Sequence, residues 1–285
     1  MTKNRRVAIV VHGGAGSKQD YRDGCQAAAD AGMARLEAGA FAVEAAKAAI
    51  VIMEDDPRFN AGTGSVLGLD GKTVEMDAAV MDSNGYLGAV ACLKRVQNPI
   101  LVADAVARSP HWLLTGEGAE RFARKFGFPP YRTIPQHVRQ QHAKLLAVLA
   151  TSKDATPGVK NRAYAAAWNY PPSVSCVEDH SCDTVGAVVL DRDGSFAVAT
   201  STGGSAPALL GRVGDTPIIG SGFYAGALGA VAITGKGEQL VRHILAFSVY
   251  QWLAEGQSMD SALQRGIDLF ESTIPVGIIA VTAKA

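Results

Sequence analysis

DTVGAVVLDRDGSFAVATST, residues 183–202, is the stretch on which the reading of the chain turns. Two runs of small and β-branched residues flank Asp193-Gly194, a pattern that predicts two core strands joined by a hairpin turn. Upstream lies TSKDATPGVKNRAYAAAWNYPPSVSCVEDHSCD, 151–183, where prolines and charges without periodicity predict a linker. The chain therefore restarts as a sheet at a threonine. Cleavage of the Asp183–Thr184 bond would make Thr184 an N-terminal residue that carries a nucleophile and a base together. Its α-amino group, with an ordinary pKa of roughly 7.7–8.0, can accept a proton near neutrality where a lysine stays charged. A buried strand threonine fits the same pattern without any chemistry.

Working outward, the first half predicts a strand at 6–12, a Gly turn, and helices at 21–37 and 42–53, the second rich in alanine and suited to close packing on a sheet. The turn-rich FNAGTGSVLGLDG (59–71) precedes strands at 73–81 and 86–92, and helices are expected from 100 to 150. The second half adds strands around 217–220 and 230–234, helices around 238–254 and 259–271, and a last strand at 276–282. Strands grouped in both halves with helices between them predict two sheets sandwiched by helix layers.

The 285 residues can bury a large core, and 48% hydrophobic residues with 31 glycines describe a compact, turn-rich protein. Lys+Arg 27 balances Asp+Glu 27, so no overall basic field exists to hold nucleic acid or an anionic membrane. The apolar run 7–11 is short for a signal peptide and no stretch is long enough to span a bilayer, so the expected location is the cytoplasm. Cys25, Cys92, Cys176 and Cys182 form no CxxC pair and read as free thiols, with a metal or redox role for Cys176 and Cys182 the less favoured alternative.

Three further groups invite a chemical reading. HGGAG (12–16) leaves an apolar strand, where Gly-rich turns cradle phosphate or simply turn tightly; neither GxGxxG nor a lysine-terminated phosphate loop is present. Arg212 and Asp215 could hold the carboxylate and ammonium of an amino acid, or could be surface ion-pair partners. Thr234-Gly235 ends a strand before a helix, offering backbone N–H groups to an oxyanion, or an N-cap by Thr234.

HGGAG at 12–16, FNAGTGSVL at 59–67, MDAAVMD at 76–82, DTVGAVVLDRDG at 183–194, ATSTGG at 199–204, GRVGDTPIIGSGFYA at 211–225 and TGKGE at 234–238 occur in order over nearly the whole chain. Together they resemble the plant-type asparaginase and isoaspartyl peptidase family. The resemblance implies an α+β fold, the four-layer αββα sandwich of the N-terminal-nucleophile hydrolases. It implies a precursor that cleaves itself into an α subunit, 1–183, and a β subunit, 184–285, which remain one structural domain.

On the matching positions, Thr184 is implied as the nucleophile and Thr202 as the residue beside it that assists self-cleavage at Asp183. Arg212 is implied to hold the substrate α-carboxylate, Asp215 the α-ammonium, Thr234 and Gly235 the oxyanion, and Asn60 to approach the scissile bond. The segment 53–63 resembles a structural sodium loop, with backbone carbonyls of Met53, Glu54, Asp56, Phe59, Ala61 and Thr63 as ligands, while catalysis needs no cofactor. The implied substrates are L-asparagine and β-aspartyl dipeptides, both releasing L-aspartate, and the implied assembly is a dimer of αβ units.

Three positions depart from the family. Asp183 stands where plant-type members carry glycine and glycosylasparaginases carry aspartate; SAPALL (205–210) lacks the usual Asn-Lys; and the sequence ends at Ala285 where relatives continue with a further strand. The alternatives to an active hydrolase are a glycosylasparaginase-like amidase, a non-cleaving relative acting as a binding scaffold, and a phosphate-binding module built on HGGAG.

Overall fold

The computed structural model describes residues 6–151, 167, 169–170 and 184–283. The predicted linker beyond Thr151 lies outside the described residues but for 167 and 169–170, and Cys176, Cys182 and Asp183 lie outside them altogether.

Two sheets, the larger mixed and the smaller antiparallel, face each other. The larger runs β1 (Ala8–His12), β5 (Thr184–Leu190), β6 (Phe196–Thr202), β2 (Met76–Asp82), β3 (Leu87–Leu93) and β4 (Leu113–Thr115), in that spatial order. All its pairings are antiparallel except β3–β4. The smaller contains β7 (Phe223–Gly226), β8 (Gly229–Gly235) and β9 (Val276–Thr282). Alternation along β5 and β6 sends Val188, Leu190, Phe196 and Val198 inward, where they meet Phe223, Ala225, Ala230, Ala232 and Val281 of the second sheet. Burying one such Phe is worth roughly 1.5–3 kcal/mol.

The opposite face of the large sheet, with Val185, Ala187, Val189, Ala197 and Ala199, packs under α1 (Arg22–Glu37), α2 (Ala42–Asp55) and α3 (Pro99–Ala107). On α2, Ala42, Ala45, Ala46, Ala49, Ile50 and Met53 recur at helical spacing and are buried, so short side chains let the helix settle directly on the strands. The second sheet is covered by α6 (Gly237–His243), α7 (Leu245–Ala254) and α8 (Met259–Ile267) through Leu240, Leu245, Ala246 and Val249. The result is the predicted four layers, helix, sheet, sheet, helix. α4 (Gly116–Lys125) and α5 (Gln136–Thr151) complete the helices of the first half.

The hairpin at Asp193-Gly194 also anchors α2. Buried Asp191 accepts from Asp193 N and Ser195 N inside the turn and from Ala42 N at the head of α2, each at 2.9 Å, so one carboxylate fixes the β5–β6 register and caps a helix.

Local readings differ from the structure in four places. β2 begins at Met76 rather than Thr73, because Asp70 ties Thr73 and Lys72 into a turn. Residues 217–220 are not a strand; Pro217 lies inside the turn that Ile218 N closes on the Asp215 carbonyl, and the strand comes later, at β7. The helix expected over 238–254 is broken at Ile244, whose φ of 46° ends α6 and starts α7. The helical stretch 100–150 contains β4, which adds to the sheet edge in parallel with β3.

Candidate active site

The site forms where the head of β5 and the C-terminal end of β8 meet between the sheets. In the β5–β6–β2 ladder, Thr184 lies opposite Thr202 and Thr202 opposite Asp77, so these three side chains stand side by side on the inward face. All three are buried. Thr184 Oγ1 lies 3.0 Å from Thr216 Oγ1, and Thr184 N donates to Thr234 Oγ1 across 3.3 Å. Thr234 Oγ1 also accepts from Ala15 N at 3.2 Å, which is where the HGGAG turn enters the site.

A threonine hydroxyl offers one donor and two acceptor positions. Both acceptor positions of Thr234 are taken by Thr184 N and Ala15 N, which leaves its proton for an incoming oxygen. Gly235, next on β8, has φ 150°, and a Cβ there would lie 2.5 Å from the Pro275 carbonyl oxygen, so the backbone can take this bend only as glycine. Thr234 does not cap the following helix: the N-cap of α6 is Lys236.

The HGGAG turn packs instead of opening a helix. A Cβ on Gly13 would lie 2.5 Å from the Phe59 ring, and α1 starts only at Arg22, so the geometry of a helix-borne phosphate cradle is missing. His12 lies over Gly186, where a Cβ would come within 2.2 Å of Nε2. Burial pushes the His12 imidazole down to about 4, with the Thr184 backbone opposing slightly; no ring nitrogen makes a full hydrogen bond among the described residues. His12 is therefore neutral beneath Thr184 at physiological pH.

Arg212 and Asp215 flank one glycine. A Cβ on Gly237 would lie 2.8 Å from Arg212 Nη2 and 3.0 Å from Asp215 Oδ1, so guanidinium and carboxylate border the same small space. Arg212 grips Glu238 through two bonds of 2.8 Å. Asp215 is buried, its Oδ2 lacks a partner among the described residues, and burial raises its carboxyl to about 7, with Arg212 pulling the other way. Asp77 is likewise raised to about 6 by burial, although Cys92 N donates to it at 2.9 Å. A buried carboxylate without its full set of donors is a place that a cation completes.

Asn60 braces the other wall. Its Nδ2 donates to the Gly204 carbonyl at 2.7 Å, its Oδ1 accepts from Val66 N, and its own carbonyl accepts from Gly203 N. Gly204 N in turn donates to Thr202 Oγ1 at 3.1 Å. The turn after Thr202 is thus held by Asn60 from below.

The segment after α2 exposes carbonyl oxygens for a reason legible in the chain. The helical partner of the Met53 carbonyl would be position 57, a proline without N–H, and that of Glu54 would be Arg58, whose N–H donates to Asp56 Oδ1 instead. The Glu54 and Gln97 carbonyls converge on Gly62, at 2.6 and 2.7 Å from where its Cβ would be. The carbonyls of Asp56, Phe59 and Ala61 each accept one backbone N–H and keep a second lone pair. No group of three His, Cys, Asp or Glu side chains suited to a metal occurs among the described residues.

The side chain of Glu54 turns inward and is fully buried, accepting from Ile100 N at 3.0 Å and Ser201 Oγ at 2.6 Å, and burial raises it to about 8. Its folded pKa exceeds the ordinary 4.5, so unfolding releases a proton between pH 4.5 and about 8, and stability falls as pH rises through that window. Glu54→Gln keeps both acceptor contacts. It is expected to flatten the dependence by up to about 1.4 kcal/mol per pH unit, read from urea midpoints at pH 5 and 8; an unchanged slope would contradict the protonated carboxyl.

Thr216, Asp77, His12 and Ala15 belong to motifs visible in the sequence, yet spacing alone gave them no role, since their contacts cross 15 to 219 residues of chain or lie in the strand ladder. Thr216→Val, nearly equal in size, removes the hydroxyl beside the Thr184 Oγ. A roughly tenfold loss of kcat with KM little changed is the expected result, and Thr216→Ser should recover most of it.

Two facing sheets with helices outside, and a threonine hydroxyl held among hydroxyls at a strand head, define the N-terminal-nucleophile hydrolase scaffold. Comparison with known proteins agrees: the asparaginase family matches residues 5–285. The chain is similar to the isoaspartyl peptidase/L-asparaginase of Bos taurus, 39% identical over 97% of this chain and 87% of the relative. To the Mus musculus protein of the same name it is 38% identical over 94% and 79%. To the plant-type L-asparaginase of Pyrococcus horikoshii it is 39% identical over 97% and 90%. The chain belongs to the asparaginase family.

Proposed function

We propose that this protein is a threonine amidohydrolase that cleaves itself before Thr184 and then hydrolyses the side-chain amide of L-asparagine and the isopeptide bond of β-aspartyl dipeptides. The observation that carries the reading is the placement of Thr184 at the head of a buried strand, its Oγ1 beside Thr216 and its nitrogen on Thr234. The names of the relatives supply the substrate class.

In self-cleavage, Thr184 Oγ attacks the carbonyl carbon of Asp183, the C–N bond breaks, and the acyl group passes from nitrogen to oxygen. Water hydrolyses the resulting ester, leaving a carboxylate on Asp183 and a free amine on Thr184. In turnover the amine takes the Oγ proton as Oγ attacks the substrate side-chain carbonyl, and the Thr234 hydroxyl and the Gly235 turn face the developing oxyanion. The amine returns the proton to the departing ammonia or amino group. Water then releases L-aspartate from the β-aspartyl ester. Arg212 and Asp215 hold the α-carboxylate and α-ammonium, with Glu238 yielding its hold on the guanidinium. Thr202 and Asn60 position the turn beside the nucleophile.

Because these contacts fix the amino-acid end, the leaving group is loosely selected. Asp183 favours testing an Asn-linked sugar as well. Mass spectrometry of the purified protein should show two fragments meeting at 183/184, together with ammonia release from asparagine and aspartate release from a β-aspartyl dipeptide. A single intact chain with full activity, or fragments with neither activity, overturns the reading.

The carbonyl-lined loop at 53–63 supports a structural sodium held by Met53, Glu54, Asp56, Phe59, Ala61 and Thr63, an all-oxygen set suited to a hard cation. Replacing sodium with choline at constant ionic strength is expected to lower the melting temperature by several degrees; identical melting in both salts argues against it. The assembly proposed is a dimer of αβ units in the cytoplasm, with no cofactor in catalysis. No helix among the described residues is long and apolar enough to cross a membrane.

A further inference from the structure

Thr184 and Asp77 face the second sheet, whereas Met76 faces the opposite way, with Ala78 and Val80 in the outer core. Beside Met76, a cavity of about 530 Å³ opens between residues 62–76, 94–96 and 131–139. None of Thr184, Thr202, Arg212, Asp215 and Thr234 lines it.

Its wall contains Lys72, Lys94, Arg95, Arg132 and Arg139 and, among the described residues, no Asp or Glu. That is a concentrated charge in a chain whose 27 basic and 27 acidic residues balance. Lys94 is paired with Glu75 at 3.1 Å and Arg95 with Glu120 at 2.6 Å. Lys72, Arg132 and Arg139 form no ion pair among the described residues. Asp70, near Lys72, already accepts from Lys72 N, Thr73 N and Thr73 Oγ1.

The hydroxyl residues of the lining supply an independent observation. Ser65 is 2% exposed, lines the cavity, and its Oγ has no hydrogen-bond partner among the described residues. Thr63 Oγ1 and Tyr131 OH, 3.2 Å apart, line it too. A buried hydroxyl left unpaired costs roughly 1–3 kcal/mol. Like charges around a concave, low-dielectric wall raise the local positive potential. One ligand relieves both: an anion with several oxygens, taking hydroxyl donors from below and guanidinium and ammonium groups from the rim.

We propose that this cavity is a binding site for a small multivalent oxyanion, the chemistry shared by phosphate compounds and polycarboxylates, separate from the asparaginase site. Titration calorimetry of the full chain with pyrophosphate and with citrate, at ionic strength held constant with chloride, tests it. Saturable binding of at least one probe is expected, weakened tenfold or more in Arg132→Glu/Arg139→Glu and several-fold in Ser65→Ala. The probe bound more tightly identifies the source as phosphate or carboxylate. Melting curves without the anion verify that the variants fold, and Arg265→Glu, remote from the cavity, should bind as the parent does. Absence of saturable binding by both probes, equal affinity in the rim variant, or competition by L-aspartate overturns the proposal.

Discussion

Replacing Thr184 with Ala should leave a chain that runs as one band on a denaturing gel and releases neither ammonia from asparagine nor aspartate from a β-aspartyl dipeptide. The expected loss is at least about a thousandfold, since in the proposed mechanism the substitution removes the atom that forms both the ester of self-cleavage and the ester of turnover. Stability should change little: position 184 is buried at a strand head, and its hydroxyl has one side-chain partner, Thr216 Oγ1. Thr184→Ser restores a primary hydroxyl and should restore slow cleavage and partial turnover. Normal processing in Thr184→Ala would remove Thr184 from the mechanism altogether, whereas unchanged melting excludes misfolding as the cause of lost activity.

Asp215→Asn carries the second large effect, and it separates binding from stability. An ammonium group would complete the buried carboxylate, and truncating one partner of such a pair costs about 2–5 kcal/mol, roughly 30- to 4,000-fold in kcat/KM. Burial raises the carboxyl of free Asp215 from 3.8 to about 7. Since the ionised form is the one that binds ammonium, kcat/KM should fall as pH drops below about 7. In the complex the ammonium lowers that pKa, so the acidic limb of kcat should lie at lower pH. The stability effect has the opposite sense. A folded pKa above the unfolded one means that stability declines as pH rises from about 4 to 7. Asp215→Asn should therefore match the parent protein near pH 4 and exceed it in urea midpoint at pH 8. An acidic limb that survives in Asp215→Asn would assign it to another group, such as the Thr184 amine.

The sandwich was legible because each layer leaves a local periodic trace. Alanines at helical spacing on α2 and the apolar runs flanking Asp193-Gly194 follow from backbone geometry, and both elements form where expected. The misreadings share a cause. The 217–220 segment has β-like residues, but turn bonds such as Ile218 N to the Asp215 carbonyl fix it, and Ile244 interrupts an apolar helical pattern with a left-handed backbone. Neither conformation follows from local propensity, because the two segments also bind each other, Phe247 N donating to the Gly220 carbonyl at 2.8 Å and Ala246 N to the Ser221 carbonyl at 3.3 Å, and such tertiary bonds override it.

Which residues could do chemistry was written in the chain: a threonine at the start of a core strand, an Arg and an Asp three apart, and glycines where the backbone must bend. What those residues face came from the packing. It brought Ala15 and Thr184 to one hydroxyl on Thr234, set Thr216 beside the Thr184 hydroxyl, buried Asp215 next to Arg212 around Gly237, and gathered basic residues from three segments around Ser65. The reason is range: side-chain periodicity is written within a few residues, whereas proximity across the sandwich depends on how two sheets pack, and burial then sets the charge state of whatever they enclose.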